Sequence, residues 1–185
     1  GYSLERIVLE LTKMGLGTCW IGGTFKRSDY KTILKAKENE VIPCITPVGY
    51  AAKKKTLRER LGLTLTNGSL RNEFNTLFFK NDFQTPLNYN PDDKVHLALE
   101  AVRLAPSAVN KQPWRVVHDN NKYHFFIYRD KLVSKTKSTD LQKVDLGIAL
   151  AHFKTVLEEN NLKGKWHIAN PTISGNEYLI TWISE

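Results

Sequence analysis

Two segments of the chain, 146 residues apart, carry apolar residues in the same order. In each copy leucines recur at helical spacing, a short turn follows, and a tryptophan precedes an apolar segment (42–48 and 178–183). The matched positions are Leu4/Leu150, Leu11/Leu157, Leu16/Leu162 and Trp20/Trp166. This order predicts a duplicated helix–turn–strand unit whose two copies superpose by a near two-fold rotation.

The first part of the chain is predicted to contain two helices and one strand. Gly15 ends the first helix, because glycine readily adopts the left-handed conformation found at helix C-termini. Ser28 is predicted to be the N-cap of the second helix. The apolar run 41–49 predicts a buried strand, although its two prolines favour an edge or a bulge. Residues 63–90, rich in Asn and Thr, predict a long connection with little regular structure.

The second part predicts a helix, a hairpin, a long helix and a last strand. Asn90 and Pro91 favour a helix start, and Pro106 ends that helix. Strands are predicted at 114–117 and 123–128, a helix at 145–160 and a strand at 178–183. His96 and His152 are predicted to be surface or packing residues, and Asp145 is interpreted only as a mark of a helix start.

The composition excludes some classes of protein but does not identify the binding partner. The net charge of +8 is compatible with a nucleic acid, an anionic membrane or a phosphorylated small ligand as partner. The densest basic run, 53–60, lacks the interleaved aromatics of a single-strand groove, and a solvated basic face is the simplest interpretation. No apolar run is long enough to span a bilayer, no signal-peptide pattern opens the chain, and two cysteines do not make a disulfide scaffold. We therefore expect a cytoplasmic protein.

Two segments are candidates for ligand binding. In 105–114 the helix broken by Pro106 exposes backbone groups, and Ser107 and Asn110 can bond the polar edge of a planar heterocycle. The alternative is that both side chains only cap their own loop. In Trp20-Ile21-Gly22-Gly23, the paired glycines allow close approach of backbone amides to a ligand, beside an apolar wall.

These segments resemble motifs of the FMN-dependent nitroreductase family. The sequence Ala-Pro-Ser-Ala-Val-Asn-Lys-Gln-Pro-Trp at 105–114 is similar to the family signature, and Gly-Leu-Gly-Thr-Cys-Trp-Ile-Gly-Gly at 15–23 looks like its later flavin-contacting turn. Pro47-Val48-Gly49-Tyr50, with the lysines after it, resembles the strand end before the family's phosphate-contacting residues. The turn precedes the signature here, whereas ordinary members have the reverse order.

The resemblance implies an α+β fold, with an antiparallel sheet flanked by helices and two pseudo-symmetric halves. Residues 1–62 would form the end of a first half that lacks its beginning, 63–90 a connecting segment, and 91–185 a second half. The family's Arg- and Ser-bearing first helix has no clear counterpart. By analogy, FMN would be bound by residues of both halves, with Ser107 and Asn110 beside Gly22 and Gly23. The implied cofactor-binding set is Trp20, Ile21, Gly22, Gly23, Lys53, Lys55, Pro106, Ser107, Ala108 and Asn110.

The resulting hypothesis is an oxidoreductase in which NADH or NADPH reduces FMN and a nitroaromatic, quinone or similar small molecule accepts two electrons. Since the cofactor supplies this chemistry, no catalytic side chain or metal is predicted. The chain would be a monomer acting as a pseudo-dimer, or a weak homo-oligomer, without a membrane or specific nucleic-acid partner. Two alternatives stay open: a protein that stores, senses or degrades flavin, and a basic nucleic-acid-binding domain.

Overall fold

A computed structural model describes residues 1–52, 67–130 and 139–185. Its α-helices are α1 (Tyr2–Lys13), α2 (Arg27–Leu34), α3 (Phe74–Leu77), α4 (Lys94–Leu104) and α5 (Leu141–Glu159). Its strands are β1 (Gly17–Thr18), β2 (Val48–Gly49), β3 (Phe78–Lys80), β4 (Trp114–Asp119), β5 (Lys122–Ile127), β6 (Gly164–His167) and β7 (Glu177–Ser184). None of the described helices is long and apolar enough to cross a bilayer.

The main sheet has five strands in the order β3-β4-β5-β7-β6, and β1 pairs with β2 in a small separate ladder. Its pairs are antiparallel except β3 with β4, which run parallel. The predicted α+β fold with helices against the sheet is confirmed, and one edge strand makes the sheet mixed.

The core lies between this sheet and helices α4 and α5. Strand side chains alternate between faces, so Phe125 points to the helices while its neighbours point away. Phe153 of α5 is fully buried there and meets Phe125 and Trp182 edge-on, with ring centroids 5.1 and 5.4 Å apart. Burial of such large aromatic side chains stabilises this core.

Helix α1 packs on α5 through two glycines. A Cβ added to Gly147 would lie 3.0 Å from the Cα of Gly1 and 2.8 Å from the backbone N of Tyr2. Any larger side chain at Gly147 would therefore push the helices apart. Gly1 and Gly147 are separated by the same 146 residues as the paired leucines.

The duplicated segments share their local structure. The turn after each helix contains one left-handed residue, Gly15 with φ 77° and Asn161 with φ 56°. Each turn also has a six-residue backbone hydrogen bond: Leu16 to Leu11 at 3.0 Å, and Leu162 to Leu157 at 2.9 Å. Helix, turn and antiparallel strand follow in the same order, although Trp166 lies within β6 and Trp20 lies after β1. The two-fold rotation between the copies stays a prediction.

Three predicted boundaries are wrong at helix starts. Ser28 lies inside α2, whose N-cap is Lys26. Asp93, and not Asn90, caps α4, accepting a hydrogen bond from the backbone N of Val95 at 2.8 Å. The Asn90 side chain instead accepts a hydrogen bond from the backbone N of Asp92, before the helix begins. Helix α5 begins four residues before Asp145, after the cap Asp140.

Two predicted segments also differ. The run 41–49 is not a buried strand: β2 has only two residues, and Val41 and Val48 are 51% and 50% exposed. Pro43 and Pro47 explain this, because proline cannot donate to a ladder. Residues 67–90 carry more regular structure than expected, since Phe74, Leu77 and Phe78 are buried and form α3 and β3.

Candidate functional site

The segment between α4 and β4 is a strained polar loop. Proline at 106 stops α4 at Leu104, and the chain then makes a single 3-10 turn, Ala108–Asn110. Val109, Asn110 and Gln112 adopt left-handed φ values of 44°, 56° and 48°. Each such residue costs about 1–3 kcal/mol, and strain of this kind clusters at ligand sites. The β-branched Val109 is the least suited of the three.

Hydrogen bonds from inside the loop and from α5 maintain this conformation. The Ser107 hydroxyl accepts from the backbone N of Gln112 at 2.9 Å. The backbone N of Ala108 donates to Asp145 Oδ1, also at 2.9 Å. Ser107 thus stabilises its own loop, as in the alternative considered from the sequence, and Asp145 anchors the loop to α5.

Asn110 faces the segment that precedes α3. Its Nδ2 donates to the carbonyls of Asn67 and Leu70 at 2.7 and 2.9 Å, and its Oδ1 accepts from Arg71 Nη1 at 3.1 Å. These bonds join two parts of the chain about forty residues apart in sequence. The Asn110 amide is therefore a structural link at the edge of a cavity.

That cavity has a volume of about 410 Å³, within the range of small-molecule sites. Its walls come from the strained loop and from the segment before α3. The lining residues are Asn67, Leu70, Asn72, Val109, Asn110, Lys111 and Gln112. Pro106, Ser107 and Ala108 lie in the same loop but do not line the cavity.

Arg71, which the sequence did not reveal as a candidate, lies between the lining residues Leu70 and Asn72 without lining the cavity itself. Its guanidinium donates to backbone carbonyls and to Asn110, and no ion pair involves it among the described residues. Burial lowers the pKa of Arg71, and the neighbouring Arg103 lowers it further. A half-buried cation without a carboxylate beside a cavity is suited to an anionic ligand group. The sequence showed Arg71 only as a single arginine within residues 63–90, which were interpreted as a connecting segment.

Asp145 is a second residue whose role the sequence analysis missed. The structure corrects its interpretation as a mark of a helix start: it lies one turn inside α5 and is only 3% exposed. Burial raises the pKa of Asp145 to about 7, against the stabilising hydrogen bond from Ala108. Its Oδ2 is buried and has no hydrogen-bond partner among the described residues. A buried carboxyl of this kind is typical of functional sites.

The segment Trp20–Gly23 forms a turn against α1 and α5. Trp20 Nε1 donates to Glu5 Oε2 at 2.8 Å, and Ile21 pairs with Ile45 as an isolated bridge. A Cβ added to Gly22 would lie 2.7 Å from the Leu141 side chain, whereas Gly23 has open space around it. A larger residue at 22 would displace the end of the Leu141 side chain, and Gly23 has a backbone accessible to a ligand.

Glu5 links this turn to α5. The carboxylate is 2% exposed, and its Oε1 lies 2.8 Å from His152 Nε2 while its Oε2 accepts from Trp20. His152 is therefore a packing residue with a specific partner. His96 is also buried, and its Nδ1 accepts from the backbone N of Asn90 at 3.0 Å.

The two candidate segments approach the same helix end. Gly22 packs on Leu141, and Ala108 bonds Asp145 one turn later. Within residues 20–23 and 106–110, both fully described, no hydrogen bond joins one segment to the other. Contact of Ser107 and Asn110 with Gly22 and Gly23 stays a prediction. Lys53 and Lys55 lie outside the described residues.

No group of three or more His, Cys, Asp or Glu side chains in the described ranges could hold a metal ion. Cys19 and Cys44 are free thiols. The described site thus offers amides, a guanidinium and a protonatable carboxyl, which suit an organic ligand with polar edges.

Comparison with known proteins agrees with this picture. The fold is similar to a crystal structure described as "a putative nitroreductase" from Thermotoga maritima MSB8, with a TM-score of 0.60, 22% sequence identity and 98% of this chain covered. The chain spans 62% of that protein's length. No curated protein sequence matches it. A family model with the description "Putative TM nitroreductase" matches residues 1–156, which is most of the sequence, and the chain therefore belongs to this nitroreductase family.

Proposed function

We propose that this chain is part of an FMN-dependent oxidoreductase that takes two electrons from NADH or NADPH and passes them to a nitroaromatic, a quinone or a similar acceptor. Membership of the nitroreductase family supports a general oxidoreductase role. The observation that carries the proposal is the strained loop 106–112, fixed on Asp145 and flanking a cavity of about 410 Å³.

The residues at this cavity fit a flavin. Val109 and Leu70 provide apolar contact for a planar ring, while the Asn72 side-chain amide provides groups for its polar edge. Arg71 provides a partly buried positive charge with donors suited to a phosphate or to the anionic edge of a reduced ring.

When bound, FMN would supply the hydride and electron transfer chemistry. The chain's residues would bind and orient it. Asp145 would hold the Ala108 amide in place, and Gly23 would offer a backbone with open space around it. Gly22, packed on Leu141, would fix the position of that second backbone segment relative to α5.

Two measurements test the proposal. Purified chain mixed with FMN and passed through a desalting column should retain visible flavin absorbance, and the loaded protein should oxidise NADPH when a quinone is added. Retained flavin without NADPH oxidation would favour a storage or sensing protein. Protein without flavin would contradict the proposal. Arg71→Gln, which keeps hydrogen bonding but removes the charge, should lower flavin retention, while Arg6→Gln, at a partly exposed side chain of α1 outside the cavity lining, should not.

The nucleic-acid alternative depends on the basic run 53–60, which lies outside the described residues. The described residues do not favour it. Binding of DNA or RNA that survives physiological salt and prefers one sequence would support that alternative, because nonspecific phosphate contacts weaken steeply with salt.

A further inference from the structure

A second cavity, of about 520 Å³, lies on the face of the main sheet away from α5. On β5, Lys122 and His124 line it, whereas Phe125 faces α5. On β7, Thr181 and Ile183 line it, whereas Trp182 faces α5. This alternation follows from strand geometry. The rest of the wall is formed by Asn81, Asp119, His167 and residues 169–173.

Strand register places charged and polar groups in two neighbouring rows. Asp119 lies opposite Lys122 across the β4–β5 pair. In the next row of the same face, His124 lies opposite Thr181, and Thr181 lies opposite His167. One carboxylate, one ammonium and two imidazoles thus face a single small cavity.

The floor of the cavity contains a hydrogen-bond chain of Tyr178, Thr181 and His124 that can run in either direction, because either hydroxyl can donate and the ring proton of His124 can sit on either nitrogen. The Tyr178 hydroxyl accepts from the backbone N of Ala169 at 2.8 Å and donates to the His167 carbonyl at 3.3 Å. In the arrangement in which the Tyr178 proton is used there, the Thr181 hydroxyl, 2.9 Å away, donates to Tyr178. His124 Nδ1, 2.7 Å from Thr181, then carries the proton and donates to Thr181.

In this arrangement the other ring nitrogen of His124 is a bare acceptor, whereas in the reverse arrangement it carries the ring proton. His124 is 4% exposed. Its Nε2 has no hydrogen-bond partner among the described residues, and this atom is not completely buried. Nε2 therefore opens onto the cavity that the ring lines. Burial lowers the pKa of His124, so the ring is neutral at neutral pH and its lone pair is available.

The rim supplies the complementary charges. Asp119 is half-buried and uses one oxygen to accept from the Asn120 side chain at 2.8 Å, so the other oxygen remains for a ligand. Lys122 is exposed and makes no ion pair within the described part of the chain. Pro171, Ile173 and Ile183 form an apolar wall.

We propose that this cavity binds a free α-amino acid with an apolar side chain. The ligand ammonium donates to Asp119, and also to His124 Nε2 when the ring proton is on Nδ1, and its carboxylate accepts from Lys122. The side chain packs against Ile173 and Ile183. A compact zwitterion satisfies the adjacent opposite charges at once, whereas a simple anion faces Asp119 and a simple cation faces Lys122.

Calorimetric titration of the full chain with three ligands of one carbon skeleton tests this proposal. Leucine carries both charges, isopentylamine only the ammonium and 4-methylpentanoate only the carboxylate. We expect saturable binding of leucine, and at least tenfold weaker binding of each single-charge analogue, since one charge-assisted hydrogen bond accounts for roughly that factor.

Variants at the rim show which charge each residue binds. Lys122→Ala should weaken leucine about tenfold and leave isopentylamine unchanged, and Asp119→Asn should weaken both. Lys163→Ala, which removes an exposed lysine outside the cavity lining, should change neither. All three positions are on the surface or at its edge, and circular dichroism confirms that each variant is folded.

Several results would overturn the proposal. The first is the absence of saturable leucine binding in the millimolar range. Equal affinity for leucine and 4-methylpentanoate would show a simple anion site instead. Equal affinity for leucine and isopentylamine would show a cation site. Leucine binding unchanged by Lys122→Ala would also overturn it. None of these results depends on flavin binding at the first cavity.

Discussion

Replacement of Asp145 by asparagine should remove the pH dependence that this carboxyl gives to folding. The side chain is 3% exposed, and burial raises its pKa from 3.8 to about 7. Between these values the folded protein keeps a proton that the unfolded chain loses. The free energy of unfolding of the wild type therefore decreases as the pH rises through this range.

The size of the effect follows from the pKa difference. Each pH unit between the two pKa values costs about 1.4 kcal/mol, so the full penalty above the folded-state pKa is roughly 4 kcal/mol at most. The asparagine side chain of the variant does not titrate, and its oxygen can still accept from the Ala108 amide. Its NH₂ group replaces the unpartnered Oδ2 and adds an unpaired donor, a cost of about 1–3 kcal/mol that does not change with pH.

Urea unfolding at a series of pH values between 4 and 8 measures this difference. The free energy of unfolding of Asp145→Asn minus that of the wild type should rise by several kcal/mol from about pH 4 to about pH 7, and then level off. Asp92→Asn, at an exposed position before α4, is the matched control for a general loss of charge. Parallel pH profiles for Asp145→Asn and the wild type would refute the assignment of a buried, proton-retaining carboxyl.

Three further changes test the loop and the core. Val109→Gly should stabilise the chain by about 0.5–1 kcal/mol in urea unfolding, because glycine accepts the left-handed φ, while Val41→Gly, at a similarly exposed valine, should not stabilise it. Phe153→Ala should lower the free energy of unfolding by about 3–5 kcal/mol, since a fully buried ring at the centre of the aromatic cluster is lost; an effect below about 1 kcal/mol would contradict the packing described. Asn110→Ala should weaken FMN about tenfold in a fluorescence titration and also destabilise the flavin-free chain by about 1–3 kcal/mol, because Arg71 and two carbonyls lose their partner; unchanged affinity would remove Asn110 from the proposed site.

Elements with strong local signals were predictable from the sequence. The apolar stripe of α1, the C-terminal end of α5 and the hairpin around Asn120 were predicted close to their observed positions, since periodicity and turn chemistry act over a few residues. The family resemblance, supported by 105–114 and 15–23, is confirmed by the family model.

Other features depend on tertiary contacts that no local pattern shows. Strand β3 is short and lacks alternation, and it forms because β4 offers a parallel edge to Phe78. The sequence shows Asp145 only as an acidic residue near a helix start. Its importance comes from its burial and from its hydrogen bond with the Ala108 amide, which depend on the tertiary structure. Asn110 was predicted to contact a ligand or to cap its own loop, whereas the structure gives it three bonds to the segment 67–71.

Chemical-shift mapping with FMN tests the proposed flavin site most directly. In two-dimensional NMR spectra of the labelled chain, added FMN should shift the backbone amides of 107–112, 70–72 and 22–23 along saturable curves with one dissociation constant. The amides of His124 and His167, at the second cavity, should stay in place. Absence of saturable shifts, or saturation with the loop 107–112 unchanged, would contradict the account.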